Sequence, residues 1–168
     1  KKERDQEMLK SEINSREKEE KNEALKGVYS RLKFRVRFDY KGKPRPARFF
    51  FGGKRTENVA QELRDQQVAL WKNVPLQGIN IENMDLGEVY SVYDEEMDEE
   101  IAFAPLELIV SSDSLEDLLR FVFREEFRRI EILEPGNLIL SGKEIERLLF
   151  KMNELFQNRL MLRLRENR

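Results

Sequence analysis

Residues 123–156 have the most clearly specified pattern in the chain, FREEFRRIEILEPGNLILSGKEIERLLFKMNELF. The stretch reads as the end of one helix, then a strand, a tight turn, a returning strand at residues 138–140 and finally a long amphipathic helix. Pro135 and Gly136 occupy the two central positions of the turn, which is the pattern of a type II turn. We therefore predict that this stretch forms the framework of the core.

The final helix of this stretch begins with Ser141 and Glu144, whose spacing is that of a capping box. Met152, Phe156 and Met161 recur at helical spacing, and we read them as core or interface residues rather than as part of a cofactor site. The helix is predicted to keep one face apolar over about four turns. That face is Ile145, Leu148, Leu149, Met152, Leu155, Phe156 and Leu160.

Outside that stretch, the clearest element is a strand at residues 32–40, where apolar and polar side chains alternate strictly. Such alternation indicates a strand with one buried face and one exposed face. A turn at residues 41–44 then predicts a returning strand at residues 48–51, which the two preceding prolines place late or at an edge. The apolar side chains of the first strand are Leu32, Phe34, Val36, Phe38 and Tyr40.

The middle of the chain is read as a mixture of helices, short strands and loops. Thr56 is a candidate cap for a helix that ends near Trp71, and residues 73–87 are read as a loop because they are rich in Asn, Gly and Pro. Pro105 interrupts an apolar run that otherwise indicates a strand. The remaining predicted elements are a short strand at 88–93, the interrupted strand at 101–110 and a helix from residues 112–114 to about Phe127.

Together these elements predict a single α+β domain at residues 28–162. We expect a mostly antiparallel sheet of about four to six short strands, packed by three helices. Residues 1–27 are almost all charged or polar, and we read them as a charged helical extension that is either solvated or buried by a partner. Residues 163–168 are read as a charged C-terminal tail.

The composition argues against most catalytic chemistry. The chain has no cysteine, which excludes thiolate nucleophiles and zinc sites built on sulfur, and no histidine, the commonest general base. Glu125 and Glu126 are adjacent on a predicted helix and do not share a face, so they do not make an acid and base pair. We therefore expect a non-enzymatic protein with no cofactor and no metal site.

The sequence gives two expectations about its cellular context. It contains no apolar run close to the ~18 residues of a membrane-spanning helix. It begins with Lys1-Lys2-Glu3-Arg4 and shows no signal-peptide pattern, so we expect it to be a piece of a longer or processed protein. The absence of cysteine suits a reducing or an oxidising compartment, and a cytoplasmic and an exported, periplasmic location both stay open.

Charge is strongly segregated along the chain, although the formal net charge is only −2. Residues 28–55 carry ten cations and one anion, whereas residues 73–119 carry thirteen anions and no cation. The predicted basic face consists of Arg31, Lys33, Arg35, Arg37, Lys41, Lys43, Arg45 and Arg48. The predicted acidic loop contains Asp94, Glu95, Glu96, Asp98, Glu99 and Glu100.

Three interpretations of this segregation are open. In the first interpretation, the two blocks neutralise each other within the fold. Each exposed pair then stabilises the folded state by only about 0.2–1 kcal/mol. Alternatively, they face different directions and meet on neighbouring molecules, where complementary patches orient the partners. In the third interpretation the basic strand binds nucleic acid, with residues 49–51 available for base stacking. The acidic loop lacks the pattern of an EF-hand, so we read it as solvated.

The sequence therefore predicts a protein-interaction or structural assembly protein that associates with itself or with other proteins through complementary basic and acidic patches. A subunit of a bacterial envelope or appendage structure is one setting that fits these features. The alternative prediction is a nucleic-acid-binding or regulatory module that uses the basic strand Arg31–Arg48.

Overall fold

Within the residues that the structure describes, the chain forms a five-stranded antiparallel sheet and three helices. The structure, a computed structural model, describes residues 31–43, 55–96 and 98–166. The strands are β1 (Leu32–Gly42), β2 (Ile79–Leu86), β3 (Tyr90–Asp94), β4 (Glu99–Ser112) and β5 (Phe127–Glu134). The helices are α1 (Thr56–Asn73), α2 (Leu115–Val122) and α3 (Gly142–Glu166). The predicted α+β fold class is confirmed.

Several predictions concern residues outside these ranges. The charged extension at residues 1–27 and the returning strand at residues 48–51 lie there, as do Arg45 and Arg48 of the predicted basic face. At the other end of the chain α3 extends to Glu166, so the first residues of the predicted C-terminal tail are helical.

β1 and β4 form the centre of the sheet. They pair along the whole of β1, from Leu32 opposite Ser112 to Gly42 opposite Ala102. β5 pairs with the other edge of β1, while β2 and β3 follow one another along the other edge of β4. The predicted alternation of residues 32–40 is confirmed, because the five apolar side chains of that strand are buried.

The core lies between one face of this sheet and the helices α1 and α2. Phe38 of β1 is 0% exposed, and its ring packs against Trp71 of α1 and Phe121 of α2 with centroid distances of 5.6 and 5.7 Å. Phe127 and Ile130 of β5 pack at the margin of the core. Among the described residues of α3, no side chain is buried. The prediction that residues 123–156 form the framework of the core is therefore wrong.

β2 lies within residues 73–87, which the sequence predicted as a loop. Its register shifts between Ile81 and Asn83, where an extra residue is inserted opposite β4. Ile79 and Ile81 pack against the core before the shift, and Met84 packs against it afterwards. The bulge breaks the period of two, and the asparagines imitate a loop composition. These two features together hide the strand.

The connection from β5 to α3 also differs from the prediction. The Glu134–Pro135 peptide bond is cis, and Gly136 does not have the positive φ that a type II turn requires. Residues 138–140 do not form a strand, so the chain passes from β5 to α3 through a loop. The capping box is confirmed, since the Ser141 N–H donates to Glu144 Oε2 at 2.7 Å and the Glu144 N–H donates to Ser141 Oγ at 3.3 Å.

Pro105 lies inside β4 without breaking it. Its partner on β1 is Asp39, whose N–H donates to the Glu126 carbonyl at 2.8 Å on the side away from Pro105. The polar backbone atoms of Pro105 therefore point to the opposite edge of β4, between the end of β2 and the start of β3. A missing N–H is tolerated there because no strand residue pairs with Pro105 on that edge.

Arg64 of α1 closes the break between β2 and β3. The residue is 6% exposed, and its Nη1 donates to the Gly87 carbonyl at 2.7 Å and to the Pro105 carbonyl at 3.2 Å. The Gly87 N–H donates to the same Pro105 oxygen at 3.1 Å. The buried guanidinium thus satisfies two carbonyls that have no strand partner, and it ties α1 to the sheet.

Candidate functional site

The face of the sheet opposite the core carries three of the cations predicted as interaction residues. Lys33, Arg35 and Arg37 alternate with the buried side chains of β1, and about a third of each side chain is exposed. Because β1 lies between β4 and β5, these cations are flanked by strands on both sides. Their charge therefore acts first on side chains of the same sheet.

Lys33 and Arg35 form ion pairs with acidic residues of three other strands. Lys33 Nζ lies 2.7 Å from Glu82 Oε2, and this hydrogen bond raises the pKa of Lys33. Arg35 lies between two carboxylates, with Nη1 at 2.6 Å from Glu131 and Nε at 3.5 Å from Glu107. Glu82 and Glu107 belong to the acidic block of the sequence, so the two charge blocks meet on this face.

Asp39 is the single anion of the basic block, and it is only 4% exposed. Its Oδ1 lies 2.7 Å from Arg37 Nε, and its Oδ2 lies 3.3 Å from Arg128 Nε. The Tyr90 hydroxyl donates to the same Oδ2 at 3.0 Å. The hydrogen bond to Asp39 raises the pKa of Arg37, while burial raises the pKa of Tyr90. A nearly buried carboxylate is therefore held by two cations and a hydroxyl.

The other described members of the predicted basic face lie at the ends of β1. Arg31 precedes the strand, and Lys41 and Lys43 lie at its far end, where their side chains are exposed. The cations of this set that the structure describes therefore do not form a single basic patch. Lys33, Arg35 and Arg37 share a neutralised sheet face, and Lys41 and Lys43 lie apart from them.

The predicted acidic loop is the tip of the hairpin between β3 and β4. Asp94 pairs with Glu99 at the base of the tip, and the Glu96 N–H donates to Asp94 Oδ1 at 3.2 Å. Asp98 has a φ of 53°, and its carboxylate accepts a hydrogen bond from the Tyr93 hydroxyl. In the described part of the chain, this acidic hairpin is not among the ion-pair partners that β1 uses on its polar face.

α3 exposes a row of large apolar side chains. Leu148 and Leu155 are half-buried against the rest of the domain, together with Lys151 and Arg159 on the same side of the helix. The adjacent side carries five side chains that are each 43–60% exposed. We call this row the α3 stripe; its members are Ile145, Leu149, Met152, Phe156 and Leu160.

The contacts that hold α3 to the domain include a charged cluster around Glu125. Arg159 Nη2 lies 3.2 Å and Arg163 Nη2 lies 3.3 Å from Glu125 Oε1. The hydrogen bonds from Arg159 and then Arg163 hold the pKa of Glu125 below its ordinary value. The Arg159 guanidinium also lies 5.7 Å from the Phe123 ring centroid. Because Glu125 and Arg163 are exposed, these ion pairs hold the helix only weakly.

The described residues give little support for a metal site, a membrane-spanning helix or an acidic ligand site. No group of three or more of their acidic side chains is placed to hold a metal ion, and none of their helices is long and apolar enough to span a membrane. An open cleft of about 820 Å³ lies between α1, the end of β1 and α3. Three acidic residues line the cleft, Asp39, Glu125 and Glu126. Asp39 and Glu125 are paired with arginines, as described above.

Comparison of the chain with known protein families, curated protein sequences and solved structures finds no match. A functional assignment must therefore come from the surfaces themselves. Of these, the polar sheet face has partners within the chain, the acidic hairpin is exposed, and the α3 stripe combines exposure with apolar character.

Proposed function

We propose that this chain is a non-enzymatic protein-interaction module whose contact surface is the α3 stripe. The observation that carries the proposal is the exposure of five large apolar side chains in one row, on a helix whose neighbouring side rests on the domain. Exposed apolar surface is unfavourable in water, and a contiguous patch of it is typical of a binding site. A structural assembly role uses the same surface.

The charged patches have a smaller role in this proposal than the α3 stripe. Lys33 and Arg35 already have acidic partners in the sheet, so contact with a second molecule through them requires breaking those pairs. Five acidic side chains of the hairpin are exposed close together, namely Glu95, Glu96, Asp98, Glu99 and Glu100. Such a hairpin attracts basic partners over a distance of roughly 10 Å and affects orientation and rate more than affinity.

Nucleic-acid binding through β1 is the weaker alternative. A phosphate group at Lys33 or Arg35 competes with Glu82, Glu107 and Glu131, which are held at ion-pair distance. A basic strand that serves phosphate binding is expected to have cations without such partners. We therefore place the interaction surface on α3 and not on β1.

The proposal is tested by photocrosslinking in cells that produce the full-length protein. A photoreactive amino acid replaces Asn153, a polar residue beside the α3 stripe, and we expect a few defined crosslinked products. Phe156→Glu is expected to abolish them. Phe150→Glu is the matched control, because Phe150 is 73% exposed and lies six residues, or about 120°, around the helix from Phe156. The same products from all three proteins would contradict the proposal.

A further inference from the structure

We infer that the partner of the α3 stripe is a second copy of α3, packed antiparallel about a two-fold axis that crosses the stripe between Met152 and Phe156, at the level of Glu154 along the helix. This inference rests on the proposed function and names the partner that it requires. A two-fold arrangement uses the same surface on both molecules, so the surface has to be complementary to itself. The apolar centre of the α3 stripe and the charged residues at its ends meet that condition, and the area of the stripe is large enough for a dimer.

The apolar centre of the stripe is complementary to its own antiparallel copy. With the axis at the level of Glu154, Met152 of one copy lies against Phe156 of the second copy, and this contact occurs twice. A thioether beside an aromatic ring is a favourable pair, and methionine adapts its shape to the ring. Leu149 then lies against Leu160 of the second copy, which pairs two aliphatic side chains of equal size.

The charged ends of the stripe favour the antiparallel direction over the parallel one. Glu146 flanks Ile145 at the start of the stripe, and Arg163 continues the row beyond Leu160. Antiparallel packing brings Glu146 close to Arg163 of the second copy, whereas parallel packing brings each beside its own like charge. Arg163 already contacts Glu125 at 3.3 Å, and its guanidinium has further N–H groups for a second carboxylate.

The area of the stripe suits a reversible dimer. Each of the five side chains is about half exposed, so each has about 100 Å² left to bury, given the size of large apolar side chains. Two copies then bury on the order of 1,000 Å², which lies at the lower limit for a specific interface. We therefore expect a dimer that forms and dissociates with concentration rather than a permanent one.

Sedimentation equilibrium of the purified full-length chain over a concentration series tests the inference. We expect a monomer–dimer equilibrium for the wild type. Phe156→Glu is expected to weaken dimerisation by at least about 30-fold, as loss of a central aromatic anchor does. Phe150→Glu is expected to leave it within about threefold, because Phe150 lies off the stripe. Circular dichroism of both variants checks that they are folded.

Single-cysteine variants of these 168 residues, which contain no cysteine of their own, test the antiparallel direction of packing. Asn153→Cys lies beside the axis and is expected to form a disulfide-linked dimer under mild oxidation. Glu146→Cys places its two copies about 24 Å apart in the antiparallel dimer, from a rise of about 1.5 Å per residue, so it is expected to stay unlinked. Efficient linkage through Glu146→Cys would overturn the antiparallel arrangement.

Two results separate this inference from the proposed function. A wild-type chain that stays monomeric at every concentration would overturn the second copy as the partner. If Phe156→Glu still abolished the cellular crosslinks in that case, the interaction function would stand with a different protein on the stripe. A dimer that forms equally well with Phe156→Glu would overturn the inference outright.

Discussion

The polar face of β1 and the apolar stripe of α3 are both conspicuous rows of side chains, but they differ in how the fold treats them. Lys33 and Arg35 lie on a central strand, where β2, β4 and β5 supply carboxylates within 2.6–3.5 Å. The α3 stripe lies on a helix that contacts the domain through only one of its sides. The apolar side chains of the stripe are 43–60% exposed. A row in the middle of a sheet finds partners in its own chain. A row on a peripheral helix stays exposed, and we propose that another molecule covers it.

The largest expected difference between the two regions is in the free energy of unfolding. Phe38→Ala removes a fully buried ring that contacts both α1 and α2, and we expect a loss of about 3–5 kcal/mol. Phe156→Ala removes a ring that is 57% exposed, and we expect a change within about 0.5 kcal/mol. Urea unfolding at low protein concentration, where the monomer dominates, measures both. Equal losses of unfolding free energy in the two variants would contradict the distinction between a buried core residue and an exposed stripe residue.

The next effect concerns the join between α1 and the sheet. Arg64→Met keeps the length of the side chain but leaves the Gly87 carbonyl without its donor and removes one of the two donors to the Pro105 carbonyl. We expect a loss of about 1–3 kcal/mol from these lost hydrogen bonds. Gln66→Met on the exposed side of the same helix is the control and is expected to change stability by less than about 0.5 kcal/mol. An Arg64→Met variant with unchanged stability would mean that water replaces the hydrogen bonds that Arg64 donates.

A smaller effect is expected on the polar face of β1. Arg35→Gln breaks the pairs with Glu107 and Glu131, which are partly exposed, and we expect a loss of about 0.2–1 kcal/mol at low salt. Screening reduces such a loss at about 1 M NaCl, where the Debye length is about 3 Å. Lys41→Gln at the exposed end of the strand is the control. A stabilising Arg35→Gln would show that the cations of β1 repel one another more than the carboxylates attract them.

The smallest effect is the pH dependence of the contact between α3 and Glu125. Arg159 and Arg163 lower the pKa of Glu125, so this carboxylate contributes stability above its ordinary pKa of about 4.3. That contribution is lost as the pH falls through the lowered value of the folded state. We expect the unfolding midpoint of Glu125→Gln to lie below that of the wild type at pH 6 and to approach it under acid. A difference that grows on acidification would contradict this assignment.

Local sequence patterns predict a large part of this fold. The alternation over residues 32–40 predicts β1 and its buried face, because a period of two leaves one face apolar whatever the rest of the chain does. The Ser141 capping box marks the start of α3 within one residue, since its bonds join groups only three residues apart. Features decided by neighbours in sequence are therefore recoverable without the structure.

Features decided by distant neighbours were missed or left open. Composition predicts a loop at β2, because residues 73–87 are rich in Asn, Gly and Pro. The shift between Ile81 and Asn83 also removes the alternation that would indicate a strand. The ion pair between Lys33 and Glu82 depends on the register of β1, β4 and β2, so the sequence left neutralisation as one of three interpretations. A charge pattern indicates which residues need partners, but only the register shows where those partners are.

The α3 stripe shows that an apolar pattern, like a charge pattern, does not reveal which partner covers it. Helical periodicity predicts an apolar face, and it does not say whether the domain or another molecule covers that face. The sequence contains one sign of an interface helix, namely apolar residues outside the predicted face. These residues are Phe150, Met161 and Leu164, which are 56–73% exposed. A helix with apolar residues on more than one side and no place in the core is typical of an interface helix.

The salt dependence of self-association tests the central claim most directly, because it separates an apolar contact on α3 from a charged contact through β1 and the acidic hairpin. The dissociation constant of the proposed dimer is measured by sedimentation equilibrium at about 0.05 M and about 1 M NaCl. Apolar burial predicts a dissociation constant that stays within about threefold or tightens at high salt, since salt does not screen it. A dimer that dissociates at high salt would contradict the α3 stripe as its main contact and point to the charged surfaces instead.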